Sequence, residues 1–241
     1  MSVETTAGQN VDPAEIAKFG ELASRWWDPN SEFRPLHQIN PLRLAYIEQQ
    51  GRVSGLDVID VGCGGGILAE AMAIKGANVT GIDLGDKALG VARLHALDAE
   101  QTIDYQLISA EEMAEAHPAE YDVVTCLEML EHVPDPSSIV AACAKMVKPG
   151  GRVYFSTLNR NAKSYMMAVV GAEYVLNLLP RGTHQYEKFI KPSELHAWTE
   201  ANGLTMHELI GMHYNPVFKS YKMAPGIDVN YMAYCTKSAK A

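Results

Sequence analysis

Short apolar runs alternate with longer amphipathic stretches along most of the chain. The apolar runs begin near residues 56, 78, 103, 121 and 152 and are rich in β-branched side chains. Such runs are typical of buried strands, and strands separated by helical stretches favour right-handed crossovers within one parallel sheet. The pattern therefore predicts an α/β fold in which ligands bind at the carboxyl ends of the strands.

The first apolar run leads into a glycine-rich turn. Residues 56–66 read LDVIDVGCGGG, so the run ends in Asp60 and opens into glycines that begin at Gly62. Glycines let the backbone turn tightly and approach a ligand closely. The dinucleotide-binding fingerprint needs a third glycine where this chain has Ile67, which disfavours a nicotinamide or flavin cofactor. A tight turn without a ligand is the remaining alternative.

An acidic residue two positions before packed glycines resembles the first motif of class I S-adenosylmethionine-dependent methyltransferases. That resemblance implies a doubly wound, Rossmann-like sheet of seven mostly parallel strands, with Asp60, Gly62 and Gly64 beside the cofactor. The second strand ends in Asp83, whose carboxylate can accept hydrogen bonds from both ribose hydroxyls or can cap the next helix. In this fold class the loop at Ala110 closes over the adenine.

A second candidate site follows the fourth strand, where residues 126–134 read CLEMLEHVP. Glu128, Glu131 and His132, hereafter the Glu–Glu–His cluster, have the spacing that one helical turn would project from one face. The carboxylates can hold a divalent cation such as Mg²⁺, or His132 can act as a general base. Alternatively, the cluster is a capped surface turn before Pro134 with no catalytic role. Its position beside the predicted cofactor site favours the catalytic role.

Longer segments carry a more specific resemblance. Six of them span most of residues 11–234: EIAKFGELASRWWDPNSEFRPLHQINPLRL, DVIDVGCGGGILAE, YDVVTCLEMLEHVPDP, FSTLNRN, GTHQYEKFIKPSEL and HYNPVFKSYKMAPGIDVNYM. Together they resemble the ubiquinone-biosynthesis O-methyltransferase family, whose members methylate ring hydroxyls of polyprenylated phenols and catechols at two steps. The resemblance implies that Arg43, Gly62, Asp83 and Leu127 contact S-adenosylmethionine. In eukaryotic relatives the Glu–Glu–His cluster matches a divalent-cation site.

The residues around Arg43 allow an interpretation without a role in cofactor binding as well. The dipeptide Asn40-Pro41 predicts the start of a helix, and Arg43 interrupts the apolar positions of that helix. An exposed charge would fit this position. A guanidinium that binds the cofactor's carboxylate fits it too, because the planar fork of arginine matches a carboxylate better than lysine does.

Composition favours one domain over residues 1–241. At 47% hydrophobic content the chain can bury a full core. We expect residues 1–10 to be disordered, residues 11–50 to form a helical cap, and residues 161–190 to form an apolar insertion over the active site. The net charge of −9 argues against a nucleic-acid partner. The four cysteines lack metal-ligand spacing, which indicates reduced thiols and a cytoplasmic protein.

Residues 165–179 read YMMAVVGAEYVLNLL, which is unusually apolar. A helix of this length would span about 22 Å, too short for a hydrocarbon core of about 30 Å. We therefore expect peripheral contact with the lipid surface of the inner membrane, where a polyprenylated substrate and other ubiquinone-biosynthesis enzymes would be met. A helix buried on the sheet is the alternative. A different quinone methyltransferase and a non-catalytic, cofactor-binding scaffold are the alternative functions.

Overall fold

The computed structural model describes residues 10–165 and 186–239, and within them the chain forms one eight-stranded sheet flanked by helices. The strands are β1 (Asp57–Val61), β2 (Asn78–Asp83), β3 (Ile103–Leu107), β4 (Tyr121–Leu127), β5 (Val147–Leu158), β6 (Leu204–Asn215), β7 (Ser220–Ala224) and β8 (Asn230–Lys237). The α-helices are α1 (Pro13–Leu22), α2 (Arg34–Gln50), α3 (Ile67–Ile74), α4 (Asp86–Asp98), α5 (Ala110–Ala116), α6 (Pro136–Met146), α7 (Ala162–Ser164) and α8 (Pro192–Ala201).

The strand order is β3-β2-β1-β4-β5-β8-β6-β7. The first five strands are parallel to one another, whereas β8, β6 and β7 pair with their neighbours in antiparallel fashion. The predicted α/β class with a doubly wound sheet is confirmed, but the predicted seven strands are wrong. The eighth strand is β7, a short edge strand of exposed and half-buried residues that returns beside β6.

The central strands are buried on both faces because helices cover the sheet on both sides. All residues of β1 after Asp57 are buried, as is most of β4. One core cluster includes Ile59 and Val124, and a second includes Val58 and Val123, so alternate residues of each strand enter opposite layers. This packing fixes the carboxyl ends of β1 and β4 next to each other.

The N-terminal segment lies over the carboxyl edge of the sheet. Asp12 caps α1 by accepting a hydrogen bond from the backbone of Ala14, as its position before Pro13 favours. The predicted helix start at Asn40-Pro41 is wrong, because α2 already begins at Arg34 and continues through Pro41. The first turn of α2 also contains Pro35. Proline is tolerated there because a backbone N–H in the first turn would have no helical acceptor.

Several predictions concern residues outside the described ranges. They include disorder over residues 1–10, of which only the last is described, and the interfacial role of residues 165–179 with most of the insertion at 161–190. Among the described helices, none is both long enough and apolar enough to cross a bilayer. Each of the four cysteines is buried and forms no disulfide bond.

Candidate active site

A cavity of about 620 Å³ lies at the carboxyl ends of β1, β2 and β4. Its walls come from α1, α2, the glycine-rich turn, the start of α5 and the base of the β6–β7 hairpin. The following residues predicted as site residues line it: Arg43, Asp60, Gly62, Gly64, Asp83, Ala110, Leu127, Glu128, Glu131 and His132. The sheet therefore brings the predicted cofactor site and the Glu–Glu–His cluster into one cavity.

The glycine-rich turn needs glycine for both conformation and space. Gly64 has a φ of 54°, which disfavours any side chain. A Cβ atom at Gly64 would also lie only 2.2 Å from the ring of Trp26. That ring stacks on Phe33, so the N-terminal segment packs directly on the turn. The space beside Gly64 is therefore filled by an indole ring from the N-terminal segment, and the predicted close approach to a ligand stays a prediction.

Asp83 organises the same turn from the end of β2. One carboxylate oxygen accepts a hydrogen bond from the backbone N–H of Gly64 at 2.9 Å, and the other accepts one from Gly85 at 2.7 Å. Desolvation raises the pKa of Asp83, although these backbone hydrogen bonds oppose the shift. Each oxygen keeps a further lone pair, so the carboxylate can still accept ribose hydroxyls from the cavity. The ribose role stays a prediction.

Asp60 lies deeper, at the end of β1, and is almost fully buried. Thr125 on the neighbouring strand donates a hydrogen bond to it at 2.6 Å. Burial nevertheless raises the pKa of Asp60 to about 7. Ala110, the first residue of α5, is buried on the cavity wall after a capping box at Ser109, while Leu127 lines the cavity from the end of β4. Ala110 and Leu127 are therefore placed where they could contact a flat, apolar group in the cavity.

Arg43 reaches the cavity from α2 and forms an ion pair with Glu128. The guanidinium Nη2 lies 2.5 Å from Glu128 Oε1, and the arginine is buried. The same carboxylate accepts hydrogen bonds from Ser156 at 2.7 Å and from Asn230 at 3.0 Å. Arg43 is thus not an exposed charge. Its predicted contact with the cofactor's carboxylate stays a prediction.

Glu131 and His132 occupy separate environments. Glu131 is buried and accepts a hydrogen bond from Thr157 at 2.7 Å, and burial together with the charge of Glu128 raises its pKa to about 7. His132 Nδ1 lies 2.8 Å from a carboxylate oxygen of Glu15 in α1. Burial lowers the pKa of His132, but the hydrogen bond to Glu15 and the charge of Glu131 outweigh burial and raise it overall.

The members of the Glu–Glu–His cluster do not share one helical face. A 3₁₀ turn covers only Leu130–His132, and Glu128 precedes it with a φ of 54°. Among the described residues, no group of three His, Cys, Asp or Glu side chains is arranged to hold a metal ion. In this arrangement each cluster member binds a different protein partner: Arg43 for Glu128, Thr157 for Glu131 and Glu15 for His132. The metal role stays a prediction from the resemblance.

The comparisons with known proteins agree on one family. A model of the methyltransferase domain matches residues 25–209. The chain is 64% identical to the ubiquinone biosynthesis O-methyltransferase of Thiobacillus denitrificans, over 95% of this chain and 99% of that protein. It is 60% identical to the protein of the same name from Pseudomonas syringae pv. tomato, with the same coverage. The chain belongs to the ubiquinone biosynthesis O-methyltransferase family.

Solved structures agree with this methyltransferase in fold. Magnesium protoporphyrin IX methyltransferase from Synechocystis PCC 6803 with bound S-adenosylhomocysteine has a TM-score of 0.67 at 20% identity, covering 92% of this chain and 94% of that chain. The same enzyme with bound S-adenosylmethionine has a TM-score of 0.66 at 19% identity, covering 97% and 100%. At these identities the likeness shows the class I methyltransferase fold alone.

Sequence reasoning missed several groups in the cavity of this methyltransferase. Glu15 belongs to no candidate site in the sequence, yet its carboxylate binds His132. Ser156 and Asn230, which bind Glu128, stand in the matching FSTLNRN and HYNPVFKSYKMAPGIDVNYM segments, and nothing in either segment indicates their partner. In contrast, the sequence places His213 and Tyr214 among the plausible pocket walls without an assigned role, and both line the cavity.

Proposed function

We propose that this methyltransferase transfers a methyl group to ring hydroxyls of polyprenylated phenols and catechols, at both O-methylation steps of ubiquinone biosynthesis. The observation that carries the proposal is the single cavity in which the glycine-rich turn and Asp83 adjoin the Glu–Glu–His cluster. High identity over nearly the whole length of relatives named for this pathway supports the choice of substrate class.

We assign the part of the cavity that would bind the cofactor from its hydrogen-bond donors and acceptors. S-adenosylmethionine supplies an electrophilic methyl group on a sulfonium. We assign the ribose hydroxyls to Asp83, the adenine to the wall at Ala110, and the carboxylate of the amino acid to Arg43. Gly62 and Gly64 give the turn its positive-φ conformation, which lets the backbone after β1 bend at the edge of the cofactor site.

The reacting half must lower the barrier for a poor nucleophile. A simple phenol has a pKa of about 10, so a neutral ring hydroxyl attacks poorly at pH 7. We assign the removal of its proton to His132. The carboxylate of Glu15 accepts the Nδ1 hydrogen of His132, which leaves Nε2 as the atom that can take up a proton. The buried walls hold the ring oxygen in line with the methyl group.

A lipid-tailed substrate also requires access to a membrane. We propose peripheral association with the inner membrane, where the enzyme would meet its substrate and other enzymes of the pathway. The sequence of residues 165–179 supports this proposal through its apolar composition.

A methyl-transfer assay tests the proposed activity. Purified enzyme, S-adenosylmethionine and short-tailed phenols or catechols should yield S-adenosylhomocysteine and an O-methylated ring in equal amounts. His132→Gln should lower kcat, and S-adenosylhomocysteine affinity should stay close to that of the unaltered enzyme. Cofactor binding without methyl transfer to any phenol or catechol would instead favour a non-catalytic scaffold.

A further inference from the structure

The turn between β6 and β7 exposes two large apolar side chains. Val217 is 81% exposed and Phe218 is 77% exposed, the highest values for large apolar residues in the described part of the chain. Together with Pro216 and Lys219 they form the hairpin tip. Single exposed apolar residues are common on protein surfaces, but this adjacent pair at the end of a hairpin places most of its apolar area in water.

The hairpin tip is held in this exposed conformation. The side-chain oxygen of Asn215 accepts hydrogen bonds from the backbone N–H groups of Val217 at 3.0 Å and Phe218 at 3.2 Å. Below the turn, the rings of Tyr214 and Tyr221 pack with their centroids 4.8 Å apart. These contacts fix the direction of the turn, so the apolar pair points away from the body of the protein.

The end of the hairpin carries two lysines and no acidic residue, although the chain as a whole is acidic. Residues 212–224 contain Lys219 and Lys222, both exposed, and no aspartate or glutamate, whereas the chain has a net charge of −9. Exposed apolar side chains flanked by lysines match an anionic lipid surface, which takes up apolar groups at its acyl boundary and cations at its head groups.

The same hairpin forms one wall of the active-site cavity. Met212, His213, Tyr214 and Tyr221 line the cavity from the base of the hairpin, and Pro216 lines it next to Val217. A surface that contacts the hairpin tip therefore lies directly beside the cavity wall. A lipid tail could then pass from that surface to the cavity with little exposure to water.

We propose that the hairpin tip is a membrane-contacting element that inserts Val217 and Phe218 into an anionic bilayer surface, with Lys219 and Lys222 at the head groups. The inference rests on the proposed function, since a lipid-tailed substrate gives a reason for the cavity to face a membrane. A second copy of the chain fits the hairpin tip less well. Two small tips bury far less than the roughly 1,200 Å² of a stable interface, and their lysines repel each other.

Vesicle flotation tests the proposal. Unaltered enzyme, V217S/F218S and the matched control L94S/L97S are compared on vesicles of phosphatidylglycerol and phosphatidylcholine, and on phosphatidylcholine alone. Leu94 and Leu97 are also exposed apolar residues, at 66% and 73%, but lie on α4. We expect V217S/F218S to lower partitioning into anionic vesicles about tenfold or more, and L94S/L97S to leave it unchanged.

A charge variant tests the lysines separately. Lys219→Gln with Lys222→Gln should lower partitioning about tenfold or more at low salt and reduce its salt dependence. Equal partitioning of V217S/F218S and unaltered enzyme would overturn the proposal. Partitioning that is insensitive to phosphatidylglycerol would overturn it as well. So would a fall in oligomer size of V217S/F218S in sedimentation velocity, because the tip would then be a contact between copies.

Methyl-transfer assays distinguish a failure of this inference from a failure of the proposed function. Methyl transfer to a water-soluble, short-tailed catechol should be equal in unaltered enzyme and V217S/F218S, while transfer to a long-tailed substrate in vesicles should fall only in V217S/F218S. Absence of transfer by the unaltered enzyme would refute the proposed function, whereas vesicle flotation needs no substrate and would still decide the role of the hairpin tip.

Discussion

Replacing Asp83 with alanine should weaken S-adenosylhomocysteine binding by about 10- to 150-fold. The carboxylate accepts one backbone hydrogen bond on each oxygen, from Gly64 and Gly85, and retains a lone pair on each for a ribose hydroxyl. A hydrogen bond to a charged group contributes about 1.5–3 kcal/mol, and 1.4 kcal/mol corresponds to a tenfold change in Kd. Titration calorimetry at a temperature where both proteins are folded measures the difference directly.

The same substitution should also lower stability, and the two effects can be separated. Without the carboxylate the N–H groups of Gly64 and Gly85 lose their acceptor, which should reduce the free energy of unfolding by about 1–3 kcal/mol. Urea unfolding without ligand measures this part. Asp86→Ala is the matched control, because Asp86 is an exposed carboxylate three residues downstream and does not line the cavity. A lowered stability with unchanged Kd would show that Asp83 supports the turn and does not bind the ribose.

Three further predictions concern the glycine-rich turn and the Glu–Glu–His cluster. Gly64→Ala should lower the free energy of unfolding by about 2 kcal/mol or more in urea unfolding, because backbone strain at positive φ adds to a clash with the indole of Trp26. The control Gly55→Ala has a φ of 77° but open space around it, so its free energy of unfolding should fall only by the cost of the backbone strain. The folded pKa of Glu131 is about 7 against an ordinary 4.5, so the folded state holds a proton that the unfolded state releases, and stability should fall as pH rises through this window. Glu131→Gln should therefore show a smaller fall in Tm between pH 5 and pH 8 than the unaltered enzyme, and the exposed Glu21→Gln should not. Chelation should change S-adenosylhomocysteine affinity little, because Asp83 hydrogen-bonds to Gly64 and Gly85 and not to the cluster. Turnover that is lost on chelation and restored by Mg²⁺ would support a cation site. Turnover that survives chelation and declines at low pH would support His132 as the base.

The parallel half of the fold could be predicted because each strand carries its own signal. The residues of β1 and β4 are mostly buried, so their sequences are mainly apolar and can be recognised without tertiary information. The edge strand β7 could not be recognised in the same way. Its residues are exposed or half-buried, so no apolar pattern marks Ser220–Ala224, and its pairing with β6 depends on the turn that Asn215 stabilises.

The site residues that lie next to their own strand or turn could be predicted from the sequence. The contacts between segments that are distant in the sequence could not. Asp83 follows its strand directly, and the glycines identify their own turn. The partner of His132 is 117 positions away in α1, and the partner of Glu128 is 85 positions away in α2. Such pairs form only after the N-terminal segment packs over the sheet, and a single sequence contains no local pattern that records the contact.

The ion pair of Arg43 and Glu128 explains how these distant segments act on one another. Glu128 has a left-handed backbone, which costs a residue with a side chain about 1–2 kcal/mol and persists only where surrounding contacts stabilise it. Here Arg43, Ser156 and Asn230 all bind its carboxylate, from α2, β5 and β8 respectively. Only Met129 separates Glu128 from the 3₁₀ turn that ends at His132. The direction in which the reacting half of the cavity presents its groups therefore depends on the same arginine that we assign to the cofactor.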